Sequence, residues 1–426
     1  MKSFSATSFP SDQPEILEHA LEAVRKNPQA LFTAFQWFLY AARNTVYFTA
    51  FSTETFDRDK LHATVAQMVS LAPQLTHGFI GARPGQPFPK HLLDAITSRE
   101  EVDGFEGYPD KWLDAGQDLF ETNDLPLFRV KVIVRKGGPD EHGRASMIMV
   151  RSSHALMEGS DSALLTRSMP SGHGTMSSKK NKVPLVQRIS MALGAALVVP
   201  MHMISAHILS PKKVEMGFSS VAFERARLRR MSNRLGVRQR SLMFAVVMHA
   251  LNNGGAGFSA KKIRAYYTML DTERHDLDDD FFRVRSIEAY FPVNDNLEEF
   301  VKAVDATIGQ IEEKDVSRMQ FIINTMMRAH RGLSKVLPFL YSERFFRFNG
   351  NVDMVLTMVP PHRTYGDLTN GIIEPIYCGS YHPGSNLCTF VPARKNVTLN
   401  FSMRRQHLPH VKKISALLDQ LDVENA

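Results

Sequence analysis

The chain has 426 residues, of which 43% are hydrophobic and 22% charged, so it predicts an ordinary globular body of enzyme size with two lobes. The two cysteines, Cys378 and Cys388, exclude a disulfide framework and a cysteine metal site, and they favour a reducing compartment such as the cytoplasm. Residues 1–17 lack the basic and apolar pattern of a secretory signal, so we expect none.

The net charge of +7 is unevenly distributed along the chain. Residues 171–270 contain 16 Lys and Arg against two acids, Glu215 and Glu224, so this segment carries +14 and the rest of the chain −7. A basic block of this kind favours an anionic partner, which can be nucleic acid, membrane phosphate or the phosphates of a nucleotide-like cosubstrate.

The N-terminal part of the chain predicts alternating strands and helices. Residues 46–52 have the composition of a strand, and residues 56–71 have the apolar spacing of an amphipathic helix. Apolar residues then alternate over 128–135, and a glycine-rich turn leads to a second apolar run at 145–150. We predict an antiparallel pair whose second strand delivers His154.

A change of composition marks the boundary between the predicted lobes. From residue 168 to 182 the chain is rich in Ser, Gly, Lys and Pro and nearly free of apolar residues. We therefore predict an N-terminal lobe at 1–168, a flexible basic linker at 169–184 and a C-terminal lobe at 185–426.

The apolar segment 185–209 contains one formal charge, Arg188, and is flanked by lysines on both sides. Residues 189–209 are long enough to span a bilayer. Pro200, His202 and the basic residues at both ends instead favour a helix that lies on a membrane surface or covers a lobe. A helix buried in the core is the other alternative.

The rest of the C-terminal lobe predicts further alternating elements. The arginine-rich segment 223–240 keeps apolar residues at helical spacing, which predicts one helix that ends near Gly236. The remaining predictions are a buried helix at 241–251, helices at 296–312 and 409–421, and strands at 288–292, 354–359, 388–391 and 397–403.

The strongest chemical signal is the segment that follows the predicted strand at 145–150. The pattern His-x-x-x-Asp/Glu occurs at His154 with Glu158 and at His275 with Asp279, where about 1.6 chance matches are expected. A glycine directly after the acid, Gly159, lowers that expectation to about 0.1 and selects His154. A histidine at a strand end before a tight turn predicts a general base, with a structural core histidine as the alternative.

At these residues the chain resembles the CoA-dependent acyltransferase superfamily, which has the chloramphenicol acetyltransferase-like fold and the signature His-His-x-x-x-Asp-Gly. It resembles the wax ester synthase/diacylglycerol acyltransferase branch in particular, because residues 124–165, 56–75 and 356–361 and the last strands are also similar. The resemblance implies an α/β fold of two lobes, each a mixed sheet flanked by helices, with the active-site channel between them.

The resemblance also implies roles for individual residues. His154 would be the catalytic base and Glu158 the acid that holds the loop, with Ser153 and Gly159 in the active-site loop. Ser153 stands where the family has its first histidine, and Glu158 stands where it has aspartate. Thr357 is a candidate substrate or oxyanion contact, with a mere strand-end hydroxyl as the alternative.

The implied reaction transfers a fatty acyl group from acyl-CoA to the hydroxyl of a long-chain alcohol or a diacylglycerol-like lipid. A condensation-type enzyme with a carrier-protein donor or an amine acceptor is one alternative, and a catalytically silent lipid- or partner-binding protein is another. The sequence has no phosphate-binding loop or metal-ligand spacing, so acyl-CoA is expected as a cosubstrate without a tightly bound cofactor or metal.

The basic block gives a second set of candidate residues. Arg225, Arg227, Arg229 and Arg230 are candidate contacts for CoA phosphates or an anionic membrane surface, and a solvated helix face is the alternative. Nucleic acid is not expected as a partner, because no nucleic-acid-binding motif accompanies the arginines. The expected location is the cytoplasm, with peripheral association at the cytoplasmic face of the membrane.

Overall fold

The computed structural model describes residues 34–71, 90–106, 108, 127–156, 185–210, 214–253, 261–270, 284–312, 317–348, 352–358, 372–392 and 395–423. By its internal contacts the chain divides into two compact units, Met1–Gly174 with His362–Cys378 and Thr175–Pro361 with Gly379–Ala426. Each unit is built on a mixed β-sheet flanked by helices, which is the predicted fold class.

The first sheet has the strand order β2-β3-β4-β1-β9. Its elements are α1 (Ala34–Ala41), β1 (Thr45–Ser52), α2 (Arg58–Leu71), α3 (Lys90–Ile96), β2 (Thr97–Val102), β3 (Phe128–Arg135), β4 (Ser146–Ser153) and the later strand β9 (Ile372–Tyr381). Strand β4 is central and pairs antiparallel with both β1 and β3, while β2 runs parallel to β3. Every residue of β4 is buried.

The predicted helix and strand pair of this unit are confirmed. Helix α2 buries Leu61, Val65 and Met68, which lie on one face because their spacing follows the helical repeat. Strands β3 and β4 form the predicted antiparallel pair. In the turn between them, Gly137 and Gly138 have φ of 77° and 90°, values that glycine adopts without a steric penalty.

The second sheet has the strand order β5-β11-β10-β8-β6-β7. Its strands are β5 (Met216–Glu224), β6 (Lys262–Leu270), β7 (Val284–Pro292), β8 (Met354–Met358), β10 (Leu387–Pro392) and β11 (Asn396–Arg404). The helices of this unit are α4 (Leu185–Leu209), α5 (Arg225–Leu235), α6 (Gln239–Asn253), α7 (Leu297–Glu312), α8 (Ser317–Val336), α9 (Glu343–Phe346), α10 (Leu408–Val411) and α11 (Lys413–Val423). Strand β8 runs parallel to both β10 and β6, and the other pairs are antiparallel.

The core of the second unit lies between this sheet and the helices on one of its faces. Helix α6 is buried throughout Ser241–Leu251, which confirms the predicted buried helix, and it packs against α7. Alternate residues of the strands join this core, among them Tyr267, Leu356, Cys388 and Phe401. The residues between them point to the opposite face of the sheet.

Two predicted helix bounds are wrong. The arginine-rich helix begins at Arg225 rather than at 223, because Phe223 and Glu224 complete strand β5 and pair with β11. It ends as predicted before Gly236, whose φ of 67° and ψ of 32° are left-handed. The predicted C-terminal helix is divided into α10 and α11 by a break at Lys412.

The apolar segment forms helix α4, which packs along α8 with one face. The interpretation as a fully buried helix is wrong, because several large apolar side chains of α4 are more than half exposed. No helix in the described part of the chain has the length and apolarity that a bilayer crossing requires.

Candidate active site

His154 lies directly after the central strand of the first sheet. Strand β4 ends at Ser153, and a tight turn follows in which the Leu156 N–H donates to the Ser153 carbonyl oxygen at 2.9 Å. Ser153, Ala155 and Leu156 are buried, whereas His154 is half-buried. The side chain of His154 is therefore more exposed than those of the residues on either side of it.

Residues from two separate chain segments hold the backbone of this turn. The His154 N–H donates to the Asn44 carbonyl oxygen at 2.7 Å, and the Ser153 N–H donates to the Leu127 carbonyl oxygen at 2.7 Å. The buried side chain of Gln36 on α1 donates through Nε2 to the Ala155 carbonyl oxygen at 3.0 Å. Because these bonds fix the backbone on both sides of Cα, they restrict where the imidazole can reach.

Asn44 owes its position to the end of helix α1. The Arg43 N–H donates to the Tyr40 carbonyl oxygen at 2.9 Å and the Asn44 N–H to the Leu39 carbonyl oxygen at 3.0 Å, which is the Schellman arrangement. Arg43 has a φ of 53°, a left-handed conformation that costs a non-glycine residue about 1 kcal/mol. Backbone strain thus lies next to the residue that binds the His154 backbone.

Asn44 also has a buried polar side chain. The residue is 4% exposed, and its Oδ1 has no hydrogen-bond partner among the described residues. A buried acceptor without a donor costs about 1–3 kcal/mol. A donor on a bound molecule would recover that cost.

Ser153 has a structural role in the turn. Its side chain is fully buried, and its Oγ accepts a hydrogen bond from the Ala155 N–H at 3.2 Å. The residue that replaces the first histidine of the resembled signature therefore closes the turn that carries His154. Glu158, Gly159 and the linker predicted at 169–184 lie outside the described residues.

A row of polar side chains, which we call the polar row, crosses the second sheet in register through Thr357. Thr357 on β8 lies opposite Thr268 on β6 and opposite Thr389 on β10. Thr389 in turn lies opposite Asn400 on β11. From one edge of the sheet to the other, the polar row consists of Ser286, Thr268, Thr357, Thr389, Asn400 and Ser220.

The polar row lies on the sheet face opposite the helical core, because side chains alternate along each strand. Thr389 and Asn400 are 1% and 0% exposed, so this polar face is buried at its centre. The hydroxyls of Thr389 and of the nearby Ser402 have no hydrogen-bond partner within the described ranges. Unsatisfied buried hydroxyls are unfavourable, which makes this face a candidate binding surface for a polar group.

The four candidate arginines do not form a single free patch. Arg227 donates to Asp422 at 2.9 Å and to Asp419 at 2.7 Å, so it ties α5 to α11. Arg229 and Arg230 are exposed, and Arg225 is half-buried. Arg227 therefore has a structural contact, and the two exposed arginines are the members of this set that a phosphate can reach.

The structure describes the side chain of Cys388 but only the backbone of Cys378. Cys388 on β10 is fully buried in the core of the second unit, and burial raises the pKa of its thiol. The thiol is therefore protonated at neutral pH and is a poor nucleophile. The backbone of Cys378 lies in β9, and its side chain is outside the described part of the structure.

Comparison with known proteins gives a match of fold and none of sequence. No family model matches the chain, and no curated protein matches it. The TRI3 trichothecene 15-O-acetyltransferase from Fusarium sporotrichioides is similar at a TM-score of 0.53 and 10% identity, covering 94% of each chain. The EpoB NRPS cyclization-docking bidomain from Sorangium cellulosum is similar at a TM-score of 0.51 and 9% identity, covering 92% of this chain and 84% of that chain.

A wax ester synthase/diacylglycerol acyltransferase from Marinobacter aquaeolei VT8 is similar at a TM-score of 0.47 and 16% identity, covering 91% of this chain and 96% of that chain. We base the fold on the first two comparisons, whose TM-scores are higher. The chain has the acyltransferase/condensation-type α/β fold, as its resemblance to the CoA-dependent acyltransferase superfamily implied.

Sequence reasoning identified His154 and Thr357 but missed the residues around them. Gln36 and Asn44 precede His154 by more than a hundred residues, and no local pattern links them to it. Thr389 and Asn400 had a weak signal, since each is a polar residue between two apolar ones in a strand. The register of the sheet reveals that they align with Thr357.

Proposed function

We propose that this protein is an acyltransferase that moves a fatty acyl group from acyl-CoA to the hydroxyl of a hydrophobic alcohol or a diacylglycerol-like lipid, with His154 as the general base. The observation that carries the proposal is the turn after β4, where the half-buried His154 stands on a backbone held by Asn44, Gln36 and Leu127. The acyltransferase/condensation-type fold supports the reaction class.

The reaction needs one well-placed base. The neutral imidazole of His154 takes the proton of the acceptor hydroxyl while the acceptor oxygen attacks the thioester carbonyl carbon. The tetrahedral intermediate collapses with cleavage of the C–S bond, and the departing thiolate takes the proton from the imidazolium. The products are the ester and CoA with a free thiol, and a base of this kind contributes about 100- to 10,000-fold in rate.

The polar row supports the binding of a polar group in the second unit. Thr357, Thr389 and Ser402 supply hydroxyls on a buried sheet face, and the last two have no partner within the described residues. We propose that these hydroxyls bind carbonyl or hydroxyl groups of the substrates. In the first unit, Asn44 binds the His154 N–H through its carbonyl oxygen, and its Oδ1 has no partner within the described residues.

The altered signature is compatible with activity. Ser153 uses its hydroxyl to close the turn, and the general-base mechanism requires one histidine rather than two. A catalytically silent member of the same fold would keep the turn without turnover. The two readings differ in one measurable property, the release of CoA thiol.

The test is an assay of free thiol released from acyl-CoAs of several chain lengths, with long-chain alcohols, diacylglycerol and amines as separate acceptors. We expect release with at least one hydroxyl acceptor and a loss of about 100- to 10,000-fold in His154→Ala. The matched control is His142→Ala, because His142 lies exposed in the β3–β4 turn of the same unit. Its rate should stay within about twofold of the wild type.

Each acceptor, and a donor arm in which acyl-carrier protein replaces acyl-CoA, tests a different part of the proposal. Release with amines alone would replace the hydroxyl acceptor with an amine and overturn the proposed specificity. Release from acyl-carrier protein but not from acyl-CoA would overturn the proposed donor. Absence of release in every mixture, or full activity of His154→Ala, would overturn the proposed mechanism.

A further inference from the structure

Helix α4 carries its aliphatic side chains on the face that solvent reaches. Eight large apolar residues of α4 are more than half exposed: Val186, Ile189, Leu193, Leu197, Met201, Ile204, Ile208 and Leu209. From Val186 to Ile208 they follow one another at intervals of three or four residues, so they share one side of the helix. We call this side the α4 apolar face, and it is about 33 Å long.

The opposite side of α4 packs against the rest of its unit, with Val199 and Ala206 buried and His202 half-buried. His202 packs edge-on against His330 of α8 with ring centroids 5.0 Å apart, and against Phe345 at 5.4 Å. The His330 Nδ1 lies 3.0 Å from the Tyr341 hydroxyl in the same cluster. Helix α4 is therefore apolar on its exposed side as well, whereas a helix on a protein in water normally exposes polar side chains there.

Further apolar side chains are exposed beside α4. Val336, at the end of α8, is 75% exposed, and Phe339, in the short 3-10 turn that follows, is 74% exposed. Helix α8 packs along α4, so both elements of this helix pair present apolar side chains to solvent. Apolar surface on this scale is uncommon on a water-exposed face and marks an interaction site.

The sequence segments that contain α4 and α8 carry formal charges of one sign only. Residues 162–214 and 317–336 contain no Asp or Glu. Lysines flank α4 in the sequence at 179–182 and 212–213, and α8 adds the exposed Arg328 and Lys335. We therefore expect the partner of this face to have both apolar groups and negative charge.

We propose that the α4 apolar face binds the surface of an anionic lipid bilayer. The aliphatic side chains enter the boundary between headgroups and acyl chains, and the flanking cations contact lipid phosphates. A second copy of this chain would instead bring two cationic faces together, which costs electrostatic energy. The proposal rests on the α4 surface and is independent of the chemistry proposed for His154.

The test is co-sedimentation with vesicles of phosphatidylcholine and phosphatidylglycerol, compared with phosphatidylcholine alone. We expect the wild type to bind the anionic vesicles more tightly and to lose affinity as salt rises. The variant Leu193→Gln/Leu197→Gln/Ile204→Gln should bind at least about tenfold more weakly, because it removes apolar side chains from the buried contact. The matched control Leu193→Met/Leu197→Met/Ile204→Met keeps the apolar character and should stay within about threefold.

These substitutions lie on exposed positions, so the fold should survive them, and circular dichroism checks that it does. Equal binding of the glutamine variant and the wild type would overturn the proposal, as would a wild type that ignores anionic vesicles. A wild-type dimer that the glutamine variant converts to monomers, without vesicle binding, would assign the face to a second copy instead. Thiol release from water-soluble short-chain substrates should be the same in both variants, which separates this proposal from the proposed function.

Discussion

The imidazole of His154 depends on residues that the motif does not contain. The backbone N–H of His154 donates to the Asn44 carbonyl oxygen, and the carbonyl oxygen of Ala155 accepts a hydrogen bond from Gln36 on α1. Both contacts act on the backbone, so they fix the direction of the side chain without touching its ring. Gln36 is therefore a positioning residue in our account.

Replacing Gln36 with leucine tests this role. Gln36→Leu leaves the buried Ala155 carbonyl oxygen without its donor, a loss of about 1–3 kcal/mol in the free energy of unfolding. We expect kcat to fall about tenfold while KM for acyl-CoA stays unchanged, because a shifted base affects the chemical step. Gln406→Leu, at an exposed residue, is the control. A lower Tm with unchanged kcat would limit Gln36 to a structural role.

Thr357 allows a test in the second unit at nearly constant side-chain volume. Thr357→Val removes one hydroxyl from the polar row, and valine is well suited to a strand. If this hydroxyl binds substrate, kcat/KM should fall at least about fivefold, which corresponds to one hydrogen bond. Thr307→Val removes a hydroxyl that bonds within α7 and serves as the control. Equal kcat/KM in Thr357→Val and the wild type would remove Thr357 from the site.

The contact between helices α4 and α8 contains two histidines, His202 and His330, whose protonation depends on pH. Burial and the neighbouring charge of His202 lower the pKa of His330 to about 4, and burial lowers the pKa of His202 as well. The folded state therefore favours the neutral form of both rings. Their ordinary pKa near 6.5 returns when the chain unfolds.

The sign of the pH dependence follows from these directions. The stability that the neutral histidines provide is fully present above about pH 6.5 and is lost as the pH falls towards about 4. Denaturant unfolding at several pH values should show this loss in the wild type. The loss should be smaller in His330→Gln, which keeps a polar side chain that does not titrate. Parallel pH profiles of the two proteins would contradict the assignment.

Local patterns in the sequence predicted the elements whose structure depends mainly on neighbouring residues. Helix α2 was predicted from its spacing of apolar residues, α6 was predicted as a buried helix over 241–251, and α5 ends at Gly236 as predicted. Strand β5 was missed because its partner β11 lies more than 170 residues later in the chain. The sequence also did not show which side of α4 is exposed, because hydropathy records that residues are apolar but not which of them packing covers.

The same distinction applies to the candidate site. His154 was predicted because its signal lies within seven residues, from Ser153 to Gly159. Asn44 and Thr389 were not, because their positions depend on strand pairing between distant segments. The sequence thus indicated the candidate base, and the fold supplies the residues that hold its backbone and the row of hydroxyls.

At the scale of the whole molecule, the fold persists where sequence similarity is nearly absent. Proteins with 9–10% identity to this chain share its fold over most of their length. What they have in common is the fold, which many sequences can satisfy. A shared fold does not by itself fix the reaction, so the reaction and its substrates must be determined from the side chains of each unit and by experiment.

The most direct test of the central claim is the rate of acceptor-dependent CoA thiol release in the wild type divided by that in His154→Ala. We predict a ratio of at least about 100 with a hydroxyl acceptor, because the alanine variant keeps the fold and loses the base. A ratio near one, or a wild type that releases no thiol with any acceptor, would contradict the account.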